Sequence, residues 1–295
     1  MKERSPVIIK EKAYAKINIS LDVTGRRQDG YHDMVMIMQT VSLCDELTIS
    51  IGEGEGVSAR SNLRFIPGDE RNLAVKAAVK YLEAVGERDK GVSIDIRKNI
   101  PVGAGMGGGS ADAAAVLRAM NRAYEGRLSE EELVALASAT GSDVAFCLVG
   151  GTMLATGRGE KLSPLPPMPP CFITVCKPEF SISTPELFRK LDQMPLRRHP
   201  DTAGLLSAIR EGQLGQVCRR MYNVFEDVDD RRMRTVADIK SRLLDAGALG
   251  AVMTGTGSAV FGVFAPGQAL EGVCAPLRRE YGFCESAVCV GRLEE

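Results

Sequence analysis

The sequence predicts an α+β protein built as two halves. Helix-periodic and strand-periodic segments are mixed without a regular βαβ rhythm, which argues against a long parallel sheet. Near the middle, Ser163-Pro-Leu-Pro-Pro-Met-Pro-Pro170 holds five prolines in eight residues. Proline fixes φ and cannot donate to a sheet ladder, so this run reads as a stiff connector. At 295 residues the chain has the length of one large domain or two ordinary ones. The expected units are residues 1–163 and 171–295, joined by 164–170.

The first half opens on a strand. From Lys12 to Val23, apolar Ala13, Ala15, Ile17, Ile19, Leu21 and Val23 alternate with polar or charged positions. Such a period of two is a half-buried strand, and it puts Lys16 and Asn18 side by side on the expected solvent face. Gly25 and the Gln28-Asp-Gly30 turn end it, directly before Tyr31 and His32. Val35–Val41 and Glu46–Ile51 read as two further strands, followed by the break Gly52–Gly56. Asn72 to Val85 has helical spacing, and Val92, Ile94 and Ile96 mark a strand. Ala113, Val116, Leu117 and Met120 form the apolar stripe of a second helix. A capping box at Ser129-Glu-Glu-Glu132 opens a third helix through Ala139. Gly141-Ser-Asp143 then starts a short apolar segment that Gly150-Gly151 closes. In the second half, strands are expected at Phe172–Cys176, Ala259–Phe264 and Ser286–Val290. Helical patterns lie near 184–192, 203–221, 230–246 and 267–280.

Composition narrows the function. A formal net charge of −1 gives no bulk electrostatic case for nucleic acid or an anionic membrane surface. Trp is absent and aromatics make up 5%, which further weakens base-stacking readings. No apolar run of about 18 residues is present, so no spanning helix is expected. The start, Met1-Lys-Glu-Arg-Ser-Pro-Val-Ile-Ile-Lys10, has too short an apolar run for a secretory signal, and a cytoplasmic address is expected. The eight cysteines include no C-x-x-C pair and there are two histidines, so buried reduced thiols are expected rather than a disulfide framework or a zinc site.

Chemistry concentrates in Pro101-Val-Gly-Ala-Gly-Met-Gly-Gly-Gly-Ser-Ala-Asp112, which runs into the second helix. Gly103, Gly105, Gly107, Gly108 and Gly109 let backbone N–H groups converge without Cβ obstruction. The helix that follows adds the positive end of its dipole, and the pair makes a phosphate cradle. G-x-G-x-x-G is matched formally at 103–108, but Glu125 lies in a turn and not on a following strand, so the dinucleotide reading fails. A loop that only turns tightly does not need five glycines, whose chain entropy is costly. Other candidates each have an ordinary reading. Asp143 and Asn72 suit helix N-caps, and Lys16 suits a solvated strand face. Met253-Thr-Gly-Thr-Gly257 suits a hairpin, yet two glycine loops on two halves suggest a cleft between them.

Together these residues resemble the GHMP kinases. Pro101-x-Gly-x-Gly-Met-Gly-Gly-Gly-Ser-Ala111 is similar to their central ATP-binding motif, and Thr254-Gly-Thr-Gly257 to their third motif. Ala15-Lys-Ile-Asn18, Gly30-Tyr-His32, Gly141-Ser-Asp-Val144 and Gly157-Arg-Gly-Glu160 resemble the branch acting on 4-diphosphocytidyl-2-C-methyl-D-erythritol. The similarity runs in order from about residue 10 to 265. It implies an N-terminal half like ribosomal protein S5, a ferredoxin-like C-terminal half, and transfer of the ATP γ-phosphoryl group to the substrate's 2-hydroxyl. By the same resemblance Asp143 is the general base and Lys16 its charged neighbour. Asn18, Tyr31, His32, Thr254 and Gly255 contact the substrate. Phe188 stacks on cytosine, with Phe180 the runner-up aromatic. Pro101 and Gly103, Ala104, Gly105, Met106, Gly107, Gly108, Gly109 and Ser110 hold the triphosphate, with Asn72 and Lys98 near the adenine. Mg²⁺ is implied as a cofactor, and Ser110 is the one contact identified for it. Met106 stands where many relatives carry Leu, a near-isosteric change.

A carboxylate at a helix start beside a lysine can accept a proton from an attacking hydroxyl. The larger contributions in phosphoryl transfer are alignment and charge neutralisation. The partner expected is thus a small molecule, with no nucleic acid and no membrane, acting on a monomer or homodimer. A kinase for another small alcohol, such as mevalonate or homoserine, and a catalytically dead sensor on the same fold are the competing readings. Gly30-Tyr-His32 with an aromatic near 188 favours a pyrimidine-bearing substrate, and retention of Asp143 with Lys16 argues against the sensor.

Overall fold

The computed structural model describes residues 6–54 and 56–293; residues 1–5 of the N-terminal stretch and residue 55 of the Gly52–Gly56 break lie outside it. The first half is organised by one long hairpin. Strands β1 (Val7–Arg26) and β2 (His32–Glu53) pair antiparallel along their whole length, with register shifts at Tyr14/Lys16, Asn18/Ser20 and Val23/Gly25. β2 is one strand where two were expected. Ser42 to Asp45 stays extended because β1 continues opposite it, with Tyr14 facing Cys44 and Ala13 facing Asp45. β3 (Val57–Ser61) follows, and helix α1 (Leu73–Val85) starts at Asn72, whose side chain accepts from the Ala74 amide, and stops at left-handed Gly86. β4 (Lys90–Arg97) pairs with residues 46–53 of β2 and, in parallel, with β3.

α2 (Gly108–Ala123) is buried on nearly all sides, which explains its alanines: Ala113, Ala114, Ala115 and Ala119 let it lie close against β1 and α1. α3 (Glu130–Thr140) opens on the expected capping box of Ser129 and Glu132. The short α4 (Val144–Val149) follows, then a hairpin of β5 (Thr152–Gly157) and β6 (Lys161–Pro164). This hairpin was not legible in the sequence; β5 completes the edge of β2 at residues 34–39.

Beyond the prolines come β7 (Phe172–Lys177), α5 (Thr184–Leu191), α6 (Thr202–Arg210), α7 (Leu214–Arg220) and β8 (Tyr222–Asn223). One helix was expected over 203–221; Gly212, at φ +68°, breaks it in two. α8 (Met233–Asp245), β9 (Gly250–Met253), β10 (Val260–Phe264), α9 (Glu271–Tyr281) and β11 (Phe283–Val288) complete this half. Its sheet is antiparallel in the order β11-β7-β10-β9. That order, with helices between β7 and β9 and between β10 and β11, is the ferredoxin-like split βαβ arrangement.

The halves are interlaced. β8 joins the first sheet parallel to β1, opposite Ser20 and Leu21. After β11 the chain returns to the first half, bridging Cys289 to Val41 and Arg292 to Gly150. β1 is therefore covered on both faces from Ala15 to Val23. The expectation of a half-buried strand fails there, because α2 packs on one side while the Met106 turn and the Thr254 loop close the other.

Candidate active site

Steric freedom at glycine shapes the centre of the molecule. Gly103, Gly105 and Gly107 hold φ of +65°, +74° and +68°, so the loop coils tightly just before α2 begins. A Cβ on Gly105 would lie 3.1 Å from the Gly257 amide nitrogen, and one on Gly255 would lie 3.0 Å from the Gly105 Cα. The two glycine loops thus meet backbone to backbone, joined by Ala259 N–H donating to the Ala104 carbonyl at 3.2 Å. The Met106 side chain is buried beneath the turn, and the Met106 carbonyl accepts from Lys16 N–H at 3.1 Å. The expected cleft does not lie between the two glycine loops, which are in contact; the open space lies beside the first of them.

Lys16 lies under Gly107, where a Cβ would approach its Cγ to 3.1 Å. It is 4% exposed, not solvated as its strand periodicity suggested. Its ammonium donates to Asn18 Oδ1 at 2.7 Å and lies 3.6 Å from Asp143 Oδ2. Asp143 precedes α4 but makes no side-chain cap hydrogen bond, which overturns the ordinary reading of that position. Its carboxylate, 31% exposed, is the open member of the pair. One turn on, burial, with Asp143 adding, pushes the Cys147 thiol up to about 12, so it stays protonated.

Asn18 departs from expectation. It is fully buried, and its amide oxygen accepts from Lys16, from Gly255 N–H at 3.0 Å and from Thr254 Oγ1 at 3.3 Å. An oxygen so occupied, on a side chain without exposed surface, orders Lys16 and the second loop instead of facing a ligand. Asn223 does similar work from β8, donating to the Met253 and Gly255 carbonyls at 2.8 Å each. No local pattern marks Asn223, whose partners are set by tertiary pairing.

A cavity of about 430 Å³ opens beside the loop, lined by Pro101 to Ser110, by Asn72 and Lys98, and by an outer wall of Phe65, Ile66 and Pro67. A polar cradle of backbone with an apolar wall suits a triphosphate and a purine. Lys98 lines this cavity but is not free: it ion-pairs with Asp45 and with Asp112, the latter at 2.6 Å. Burial opposes the Lys98 ammonium, yet the Asp112 and Asp45 carboxylates outweigh it and raise its pKa. Burial pushes Asp112 up to about 7, with Asp45 adding and Lys98 opposing. Asp45 takes Asn99 N–H and Ile100 N–H on its other oxygen and so anchors the start of the loop. Asp112 stands inside the glycine motif itself, but its pairing with Asp45 was not visible in sequence. Asn72 reaches the cavity as the cap of α1.

The aromatic group lies apart from that cavity. His32 stacks on Phe188 with centroids 4.6 Å apart, and its Nε2 is 2.7 Å from Asp192 Oδ1. Phe225 meets Phe188 edge-on at 4.8 Å. Phe188 is therefore already stacked on a side chain, while Tyr31, 56% exposed with the Arg158 guanidinium 4.9 Å from its ring centroid, is the open aromatic face. Phe180 is not in the group; its carbonyl accepts from Lys177 and Ser258. Among the described residues no three His, Cys, Asp or Glu side chains converge as a metal cluster. No helix there is long and apolar enough to cross a membrane.

Comparison with known proteins identifies the family. Residues 72–151 match the family model for the GHMP kinases N terminal domain, and 205–282 that for the GHMP kinases C terminal. The chain is 42% identical to a 4-diphosphocytidyl-2-C-methyl-D-erythritol kinase of a Geobacillus species, covering 96% of each. It is 46% identical to the enzyme of that name from Syntrophomonas wolfei, over 86% of this chain and 88% of the relative. A crystal structure of a 4-(cytidine 5'-diphospho)-2C-methyl-D-erythritol kinase superposes with a TM-score of 0.79 at 33% identity, covering 96% of this chain and 100% of that one. With both GHMP domain models matched and relatives of one name aligned over most of its length, the chain belongs to the 4-diphosphocytidyl-2-C-methyl-D-erythritol kinase family of the GHMP kinases.

Proposed function

We propose that this chain is a cytoplasmic kinase that transfers the γ-phosphoryl group of ATP to the 2-hydroxyl of 4-diphosphocytidyl-2-C-methyl-D-erythritol, in isoprenoid precursor synthesis. The observation that carries the reading is the Lys16–Asp143 pair at 3.6 Å directly beneath the Gly107 turn. Asp143 accepts the proton of the attacking hydroxyl, and Lys16 fixes the carboxylate and balances charge as the phosphoryl group moves. Backbone N–H groups of Gly103 to Ser110 and the N-terminus of α2 take the phosphates. Asn72 and the Phe65 wall border the nucleoside end.

Mg²⁺ would supply charge neutralisation to the phosphates. Mg²⁺ is commonly held by one or two protein oxygens, phosphates and water, so a protein cage is not needed. The Ser110 hydroxyl, on the cavity wall in the first turn of α2, suits one such contact. On the acceptor side, Tyr31 offers a face and His32 an edge to the cytosine, with Phe188 and Asp192 holding the imidazole in place. This grouping favours a pyrimidine-bearing acceptor over mevalonate or homoserine.

The test is ADP release from Mg-ATP in the presence of each candidate alcohol. The proposal expects release with the diphosphocytidyl substrate and only background release with mevalonate or homoserine. No more ADP with that substrate than with buffer, while another alcohol is turned over, overturns it.

A further inference from the structure

Phosphoryl transfer leaves the eight cysteines unused, and four of them face each other in two pairs along one ladder. β7 and β11 run antiparallel with Cys176 opposite Cys284 and Phe172 opposite Val288. One step further in the same register sets Cys171 opposite Cys289, and their sulfurs lie 3.7 Å apart. Directly opposed residues of an antiparallel pair hold their Cβ atoms about 4.5–5.5 Å apart, close to the roughly 3.5–4.5 Å of a disulfide. We propose that Cys171 and Cys289 form a reversible oxidation site, a disulfide that staples the end of the proline connector to the strap of chain after β11.

Access and chemistry single out this pair. Cys289 is half-buried and lines a cavity of about 210 Å³ with Met168 and Arg292, which gives a small peroxide a route to it. Cys176, Cys284 and Cys274 are fully buried, and Cys147 and Cys218 nearly so. With hydrogen peroxide as oxidant, one sulfur of the pair attacks one oxygen and becomes a sulfenic acid, releasing water. The other sulfur then displaces the second water and closes the S–S bond. Two thiols and one peroxide give one disulfide and two waters. A dithiol reverses the step by exchange, so in a reducing compartment the bond is transient.

The staple has something to hold. Val290 N–H donates to the Thr40 carbonyl at 2.9 Å, and Gln39 Nε2 donates to the Val290 carbonyl at 2.9 Å. Leu293 N–H donates to the Val149 carbonyl at 2.8 Å, at the end of α4, the helix that begins beside Asp143. Neither cysteine lines the 430 Å³ cavity. The bond closes a loop of 118 residues, long enough for a large loss of unfolded-chain entropy.

The test is peptide mapping by mass spectrometry of the intact protein after hydrogen peroxide, with remaining thiols alkylated, beside a melting curve. The proposal expects a linked peptide pair carrying Cys171 and Cys289 and a melting temperature raised by about 5 °C or more. Dithiothreitol should reverse both, and Cys289→Ser should show neither. A link between Cys176 and Cys284 instead overturns it, as does Cys289 oxidised to sulfinic acid with Cys171 still alkylatable, or an unchanged melting temperature in the linked protein.

Discussion

Asn18 shows how one buried side chain can order a candidate site. Its amide oxygen gathers Lys16, Thr254 and Gly255, so the lysine and the second glycine loop share one anchor. Replacing Asn18 with Ala strands buried donors; we expect a loss of about 1–3 kcal/mol in stability, read from urea unfolding, and a fall in kcat. Asp143→Asn tests the chemistry directly. It should leave ATP binding intact in calorimetry while lowering turnover by about 10²-fold or more. Near-normal turnover would remove Asp143 from the mechanism. Phe188→Ala should weaken the cytidine substrate by about 0.5–1.5 kcal/mol, seen in KM, because His32 loses its stacking support. The period of two in β1 made the adjacency of Lys16 and Asn18 legible. Their burial was not, because it comes from residues about 90 and 236 positions away.

At the level of elements, local signals were read well and pairing signals poorly. The capping box at Ser129, the Asn72 cap and the coiled glycine loop each depend on residues within one turn, and each stands as written in the chain. β3, β5, β6, β8 and β9 carry no clear sequence signal because short strands gain their stability from the neighbour they pair with. A contrast between two substitutions separates the roles of loop and cap. Gly105→Ala must take φ +74° and push a methyl into the Thr254 carbonyl, so it should cost more than about 1 kcal/mol and abolish tight ATP binding. Ser129→Ala should cost about 1 kcal/mol in thermal unfolding and leave activity unchanged.

Over the whole molecule, stability should depend on acid through an ion network around the buried Asp230. Hydrogen bonds from Arg232 and then Lys190 hold the Asp230 carboxyl well below the usual carboxylate range, and Glu186 is likewise lowered by Arg232. Because the folded pKa is depressed, this contribution is fully present above the unfolded value of about 3.9 and is lost as pH falls beyond it. Melting temperature should therefore drop steeply below about pH 4, and Asp230→Asn should lower it at pH 7 while flattening that acid slope. An unchanged slope would place the acid sensitivity elsewhere. The two-part α+β architecture was legible from periodicity and the proline run, whereas the lacing of one half into the other was not. Such contacts involve single residues such as Asn223, opposite Leu21, and Val290, which carry no pattern.

That lacing bears on how the chain is made. The first sheet borrows β8 and the strap at 289–293 from the distal half. During synthesis the early residues must therefore wait on the ribosome, with the Thr40 and Val149 carbonyls lacking these donors, until residues 290 and 293 emerge. An amino-terminal fragment cut at the prolines should thus be a poor autonomous folder and a good client for chaperones.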